Sequence, residues 1–194
     1  AAIHGNIDEI YLYPDGNGFD LKKTIADKFG FEIDQITLGN GSNDILELIA
    51  RVFLTPADEA LFSRYSFAVY PLATQAVGAS LNIVSALPED SETPLGHDLK
   101  AMRNAITEKT KVIFVANPNN PTGTWLKAEE LENFIASVPE NIIVVVDEAY
   151  FEYVQEEEYP DCSKFVAKYP NLIVTRTFSK AHGLAGLRVG YSFS

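Results

Sequence analysis

Two short runs constrain the fold most, residues 111–116 (KVIFVA) and residues 141–146 (NIIVVV). Neither alternates apolar with polar residues, so each reads as a strand covered on both faces. Such strands belong to parallel sheets flanked by helices. Around them the pattern switches repeatedly between strand and helix. Leu21, Ile25 and Phe29 recur at helical spacing, and Ile36-Thr37-Leu38 predicts a short strand ahead of Gly39-Asn40-Gly41. Ser42 or Asn43 is expected to cap the next helix, whose buried stripe is Ile45, Leu46, Leu48, Ile49, Val52 and Phe53. Ala60-Leu61-Phe62 predicts a strand, a helix follows Tyr70-Pro71, and residues 80–87 predict another strand. Leu99, Met102 and Ile106 mark one helix, and Leu131, Phe134, Ile135 and Val138 another. Residues 172–174 and 188–193 complete the strands. The expected class is α/β, a three-layer α/β/α arrangement around one mostly parallel sheet of about seven strands.

Residues 1–18 contain the turn-rich run Tyr13-Pro14-Asp15-Gly16-Asn17-Gly18 and no periodicity, so they read as an arm or connecting segment. Residues 19–194 read as one large domain, and a chain of 194 residues that is 46% hydrophobic can bury a substantial core. The formal charge of −12 argues against nucleic acid or an anionic membrane as a general partner, because both need a basic face. Cys162 is the only cysteine, which fits a reducing compartment. No apolar run approaches a membrane span and Ala1 opens no signal-peptide pattern, so the chain reads as cytoplasmic. His4, His97 and His182 do not make a metal-site spacing, and no metal is expected. His182 reads as a loop histidine.

In an open parallel sheet the ligand sits beyond the carboxyl ends of the strands, so those ends can be read as one set. KVIFVA runs into Asn117-Pro118-Asn119-Asn120-Pro121-Thr122-Gly123, NIIVVV into Asp147-Glu148-Ala149-Tyr150, and LIVTRT into Phe178-Ser179-Lys180. A lysine just past a buried strand can be partly desolvated, which lowers its pKa and makes its amine a nucleophile for Schiff-base chemistry. Asp147 follows an apolar run and needs a positive partner to stay ionised. Arg188, Thr177, Ser179 and the Gly41-Ser42-Asn43 turn before a helix supply a phosphate with charge, hydroxyls and backbone N–H groups. Lysine, carboxylate and anion site together are what pyridoxal 5'-phosphate requires.

These motifs, Asn120-Pro121-Thr122-Gly123, Asp147-Glu148-Ala149-Tyr150 and Thr177-Phe178-Ser179-Lys180 with Arg188 beyond, resemble the large domain of fold type I aminotransferases, most of all the histidinol-phosphate branch. The resemblance covers nearly the whole chain. It implies that Lys180 is the Schiff-base lysine and proton carrier and that Asp147 pairs with the pyridine nitrogen. Asn120 and Tyr150 would hydrogen-bond the ring's 3'-oxygen, and Phe67 would stack on the ring. Ser42, Asn43, Thr177, Ser179 and Arg188 would hold the phosphate. Tyr13 matches a tyrosine that reaches the phosphate of the other subunit, which implies a homodimer. The reactants implied are a small-molecule amino donor and a 2-oxo acid acceptor, histidinol phosphate and 2-oxoglutarate. The family is longer at both ends, and a C-terminal small domain with a substrate-carboxylate arginine is expected to lie outside this chain. Aromatic amino acid aminotransferases and threonine-phosphate decarboxylases share the same motifs. A cofactor-sensing regulatory domain and an inactive fragment are the alternatives to an enzyme.

Overall fold

In the computed structural model, which describes residues 2–194, the two apolar runs are central strands. They form β4 (Thr110–Ala116) and β5 (Ile143–Asp147), side by side and parallel. The others are β1 (Ile36–Gly39), β2 (Glu59–Ser63), β3 (Ser80–Val84), β6 (Leu172–Thr177) and β7 (Gly190–Phe193). They make one seven-stranded sheet in the order β1-β7-β6-β5-β4-β2-β3. Among the described strands only β7 runs against the rest, antiparallel to both β6 and β1.

The strand side chains alternate between two buried layers. Val112, Phe114 and Val145 pack with Ile45, Leu46, Ile49, Tyr70 and Ala73 from α3 (Ser42–Phe53) and α4 (Val69–Ala76). Ile113, Val115, Val144, Val146 and Val174 pack on the other side with residues of α2 (Phe19–Phe29), α5 (Leu99–Asn104) and α6 (Ala128–Ser137). Burying each such side chain is worth about 1.5–3 kcal/mol, and this two-sided burial is why the runs are continuous rather than alternating. The arm is exposed from His4 to Asn17 and holds α1 (Ala2–Gly5) and a short 3-10 turn, Ile7–Glu9. Among the described residues no helix is long and apolar enough to cross a membrane.

Several boundaries differ from the sequence reading. The strand expected over residues 80–87 stops at Val84, and α4 starts at Val69 with Pro71 in its first turn, where no intrahelical N–H is needed. Asn141 and Ile142 precede β5, and Ile106 falls past the end of α5. β6 continues through Thr175, Arg176 and Thr177. Arg188 is not in a strand: it ends a 3-10 turn at φ 53, in the left-handed region. The cap of α3 is Gly41, at φ 82, with Ser42 already helical.

Candidate active site

The strict alternation of β5 and β6 divides the chemistry at their ends between the two faces. Asp147 pairs in register with Thr175, and both point to the α3–α4 side. Glu148 and Arg176 each come one residue later and enter the opposite layer. Asp147 is 4% exposed. Its Oδ1 accepts from Thr175 Oγ1 at 3.0 Å and its Oδ2 from Tyr70 Oη at 3.1 Å. Burial pushes the Asp147 carboxyl above its ordinary range, while Thr175, Tyr70, the Ala149 N–H and the charge of Lys180 pull against that shift.

Beside this carboxylate, α3 begins with no side chain capping it, so its N–H groups and dipole are available to an anion. The Arg188 guanidinium lies across that end. It donates to the Asn40 carbonyl at 3.0 Å, to the Ala185 carbonyl at 3.1 Å and to Ser179 Oγ at 3.4 Å. Two glycines permit the approach. A Cβ at Gly41 would lie 2.5 Å from Arg188 Nη2, and one at Gly190 would lie 2.3 Å from the Ser42 nitrogen. Strand β7 and the start of α3 therefore meet backbone to backbone.

Ser42, Phe67, Asn120, Asp147, Tyr150 and Lys180 line one cavity. Lys180 Nζ sits 5.3 Å from the centre of the Tyr150 ring. The turn bearing Asn120 is fixed from below. Asn119 Nδ2 donates to the Tyr65 carbonyl at 2.6 Å and Asn117 Oδ1 accepts the Leu126 N–H at 2.8 Å. Not every residue expected at the site joins the cavity. Asn43 donates along its own helix to Glu47 at 2.9 Å, and the Thr177 hydroxyl accepts the Ser179 N–H at 3.1 Å. Tyr13 is wholly exposed, at 100%, on the arm. The lysine that the sequence reads as partly desolvated, Lys180, is exposed. His182, on the same loop, meets Glu152 at 3.2 Å.

Sequence reasoning assigns no role to Tyr70 or Thr175. Nor does it assign one to Arg176, which is 1% exposed and binds Glu148 Oε2 through Nε at 2.9 Å and Nη2 at 2.7 Å. Asp161 accepts from the same Nη2 at 2.6 Å, and the guanidinium stacks 3.8 Å from the Phe151 ring centre. A charge two residues beyond an apolar run, facing a glutamate at the matching place on the next strand, is the signal that could have found it.

The family model for aminotransferase class I and II matches residues 1–194. Histidinol-phosphate aminotransferase 2 of Pseudomonas fluorescens is 57% identical over 194 residues, which is 100% of this chain and 51% of that relative. Histidinol-phosphate aminotransferase 2 of Haemophilus influenzae is 53% identical over 193 residues, again 100% of this chain and 51% of the relative. The crystal structure of histidinol-phosphate aminotransferase from Sinorhizobium meliloti in complex with pyridoxal-5'-phosphate matches with a TM-score of 0.90 at 30% identity, over 100% of this chain and 51% of that one. The chain spans about half the length of these relatives.

Proposed function

This chain belongs to the aminotransferase class I and II family, and on that premise we propose that the whole protein is a pyridoxal-phosphate-dependent aminotransferase moving an amino group between histidinol phosphate and 2-oxoglutarate. One observation carries the reading: a buried carboxylate, Asp147, and a lysine, Lys180, line the same cavity beside an uncapped helix start crossed by Arg188. The donor set fits the cofactor. Asp147 is a buried acceptor for a protonated ring nitrogen, Phe67 is an aromatic wall, and the glycine cradle at Gly41 leaves room for Arg188 to face a phosphate. Asn120 and Tyr150 line the cavity as partners for the ring oxygen, and Ser179, bonded to Arg188, completes the phosphate site. Ser42 contributes its backbone N–H there. Asn43 and Thr177 are proposed to contribute at the same end, Asn43 through its backbone N–H near the start of α3 and Thr177 by fixing the Ser179 N–H.

When bound, pyridoxal phosphate supplies an electron-withdrawing ring that takes up charge from the substrate's α carbon. The residues supply the rest. Asp147 would keep the ring nitrogen protonated, and Lys180 Nζ would hold the group and, once freed by the incoming amine, carry the proton between substrate atoms. Arg188 and the start of α3 hold the anion fixed while that proton moves.

The homodimer and the cytoplasmic setting belong to this proposal, as does the division into an arm, residues 1–18, and a cofactor-binding domain, residues 19–194. The arm exposes Ile10 at 81%, Tyr11 at 80% and Tyr13 at 100%, while Val52 and Leu72 stand 70% and 62% exposed on α3 and α4. Such apolar surface suits a second copy, with Tyr13 reaching the partner's phosphate. Mixing Tyr13→Phe chains with Lys180→Ala chains is then expected to raise activity above that of either variant alone, because one site per mixed dimer is intact. Activity equal to the simple average of the two would remove the shared-site arrangement.

The reaction is tested by a half-reaction in the full-length protein, with histidinol phosphate, an aromatic amino acid and threonine phosphate offered separately. Histidinol phosphate should convert the cofactor to its amine form fastest. Conversion only by an aromatic amino acid, or release of carbon dioxide from threonine phosphate, would reassign the substrate.

A further inference from the structure

We propose that Tyr70 is a positioning residue for Asp147: its hydroxyl, together with that of Thr175, fixes the charge and the aim of the carboxylate toward the bound cofactor. The inference rests on the cofactor reading above and deepens it. Tyr70 is 0% exposed and its ring cannot wander, stacked on Phe114 at 4.8 Å with planes 5° apart and set edge-on to Phe67 at 5.9 Å. Its hydroxyl meets Asp147 Oδ2 at 3.1 Å and the Thr175 hydroxyl meets Oδ1 at 3.0 Å, one donor to each oxygen.

Donation by a phenol favours the charged form of the acid it meets. Burial, and after it the charge of Asp147, push the Tyr70 hydroxyl far above its ordinary range, so it remains a donor at every working pH. The groups that face the carboxylate are Tyr70 from α4, Thr175 from β6, the Ala149 N–H and the Lys180 ammonium. Three of these four are neutral donors, and the two hydroxyls bracket the carboxylate. Tyr70 also ties two walls together, because Phe67, against its ring, lines the cavity that Asp147 floors. Nothing in the sequence flagged it beyond its place beside Pro71.

Tyr70→Phe removes one oxygen and keeps the ring packing. In the full-length protein this change should weaken cofactor binding near neutral pH on the order of tenfold, the scale of one hydrogen bond to a charged group. It should also move the acid midpoint of the binding profile upward, since a carboxylate that loses a donor takes up its proton at a higher pH. Thr175→Val should move it in the same direction, and Thr175→Ser should restore it. A second measurement needs no cofactor: carboxyl carbon resonances of the cofactor-free protein, with that of Asp147 identified by its loss in Asp147→Asn, should show the same upward move in Tyr70→Phe. A uniform loss of affinity at all pH values with an unmoved Asp147 midpoint would mean that Tyr70 only fills space, and the proposal falls. If Asp147→Asn binds cofactor as tightly as the parent across the same range, the underlying cofactor reading fails first, and this inference with it.

Discussion

Lys180→Ala is expected to abolish covalent cofactor retention and to lower the rate of amino transfer by at least the ~10²–10⁴-fold that a positioned acid–base group supplies. The lysine is exposed on a loop and meets the site only through its charge on Asp147 and the Tyr150 ring at 5.3 Å, so the fold should survive the change, as exposed substitutions usually cost less than about 0.5 kcal/mol. Loss of activity with an unchanged unfolding midpoint is therefore the expected pair of results. Single-turnover mixing of the full-length variant with histidinol phosphate, followed by the cofactor's absorbance, measures it. Added methylamine is expected to return a small part of the rate, because it replaces the lost amine without its positioning. A variant that turns over near the parent rate would remove Lys180 from the chemistry.

The second large effect concerns the opposite face of the same strand ends. Arg176→Met should destabilise the folded chain by about 3–5 kcal/mol, the cost of leaving one member of a buried ion pair without its partner. Glu148 is then stranded at 0% exposure without a cation, keeping the Cys162 N–H at 2.9 Å and the Cys162 thiol as donors. Burial already lifts the Glu148 carboxyl above its ordinary range in the presence of Arg176, and removing the arginine raises it further. A carboxyl whose folded pKa is raised penalises the folded state at pH above that value, and the penalty fades as pH falls toward the unfolded pKa. The deficit of Arg176→Met should accordingly shrink on acidification, and the double variant Arg176→Met, Glu148→Gln should be less destabilised than Arg176→Met at neutral pH. Urea unfolding at several pH values reads all three; a deficit independent of pH would show that lost packing over Phe151, not the stranded charge, dominates.

Legibility in the sequence followed the length scale of each signal. KVIFVA and NIIVVV were readable because a strand buried on both faces must be apolar at every position, and the sheet class follows from that alone. The reversal of β7 was not readable, since direction depends on where the 178–189 loop returns the chain, and Gly190 shows its reason only once Ser42 lies against it. Asp147, Lys180, Asn120 and Tyr150 stood out as chemistry at strand exits, and the fold does bring them to one cavity. Tyr70 stayed hidden: its partner Asp147 is 77 residues away, and a tyrosine on an apolar helix face carries no local mark of a polar duty. Arg176 carries no mark in the sequence beyond its place in LIVTRT, and only the alternation along β6 puts it with Glu148 in the other layer. Asn43 and Ser42 read as caps because their residue types favour that role, while the left-handed φ of 82 and the Arg188 guanidinium against its Cα reserve the cap for Gly41.

The claim at the centre of this account is that one cavity holds pyridoxal phosphate covalently on Lys180. It is tested by loading the full-length protein with the cofactor, reducing with borohydride, digesting, and locating the added mass by peptide sequencing in a mass spectrometer. The account predicts a single pyridoxyl adduct on the Lys180 Nζ, lost in Lys180→Ala and not shifted to a neighbour. An adduct on another lysine, such as Lys164 or Lys168, or no adduct at saturating cofactor, would contradict it.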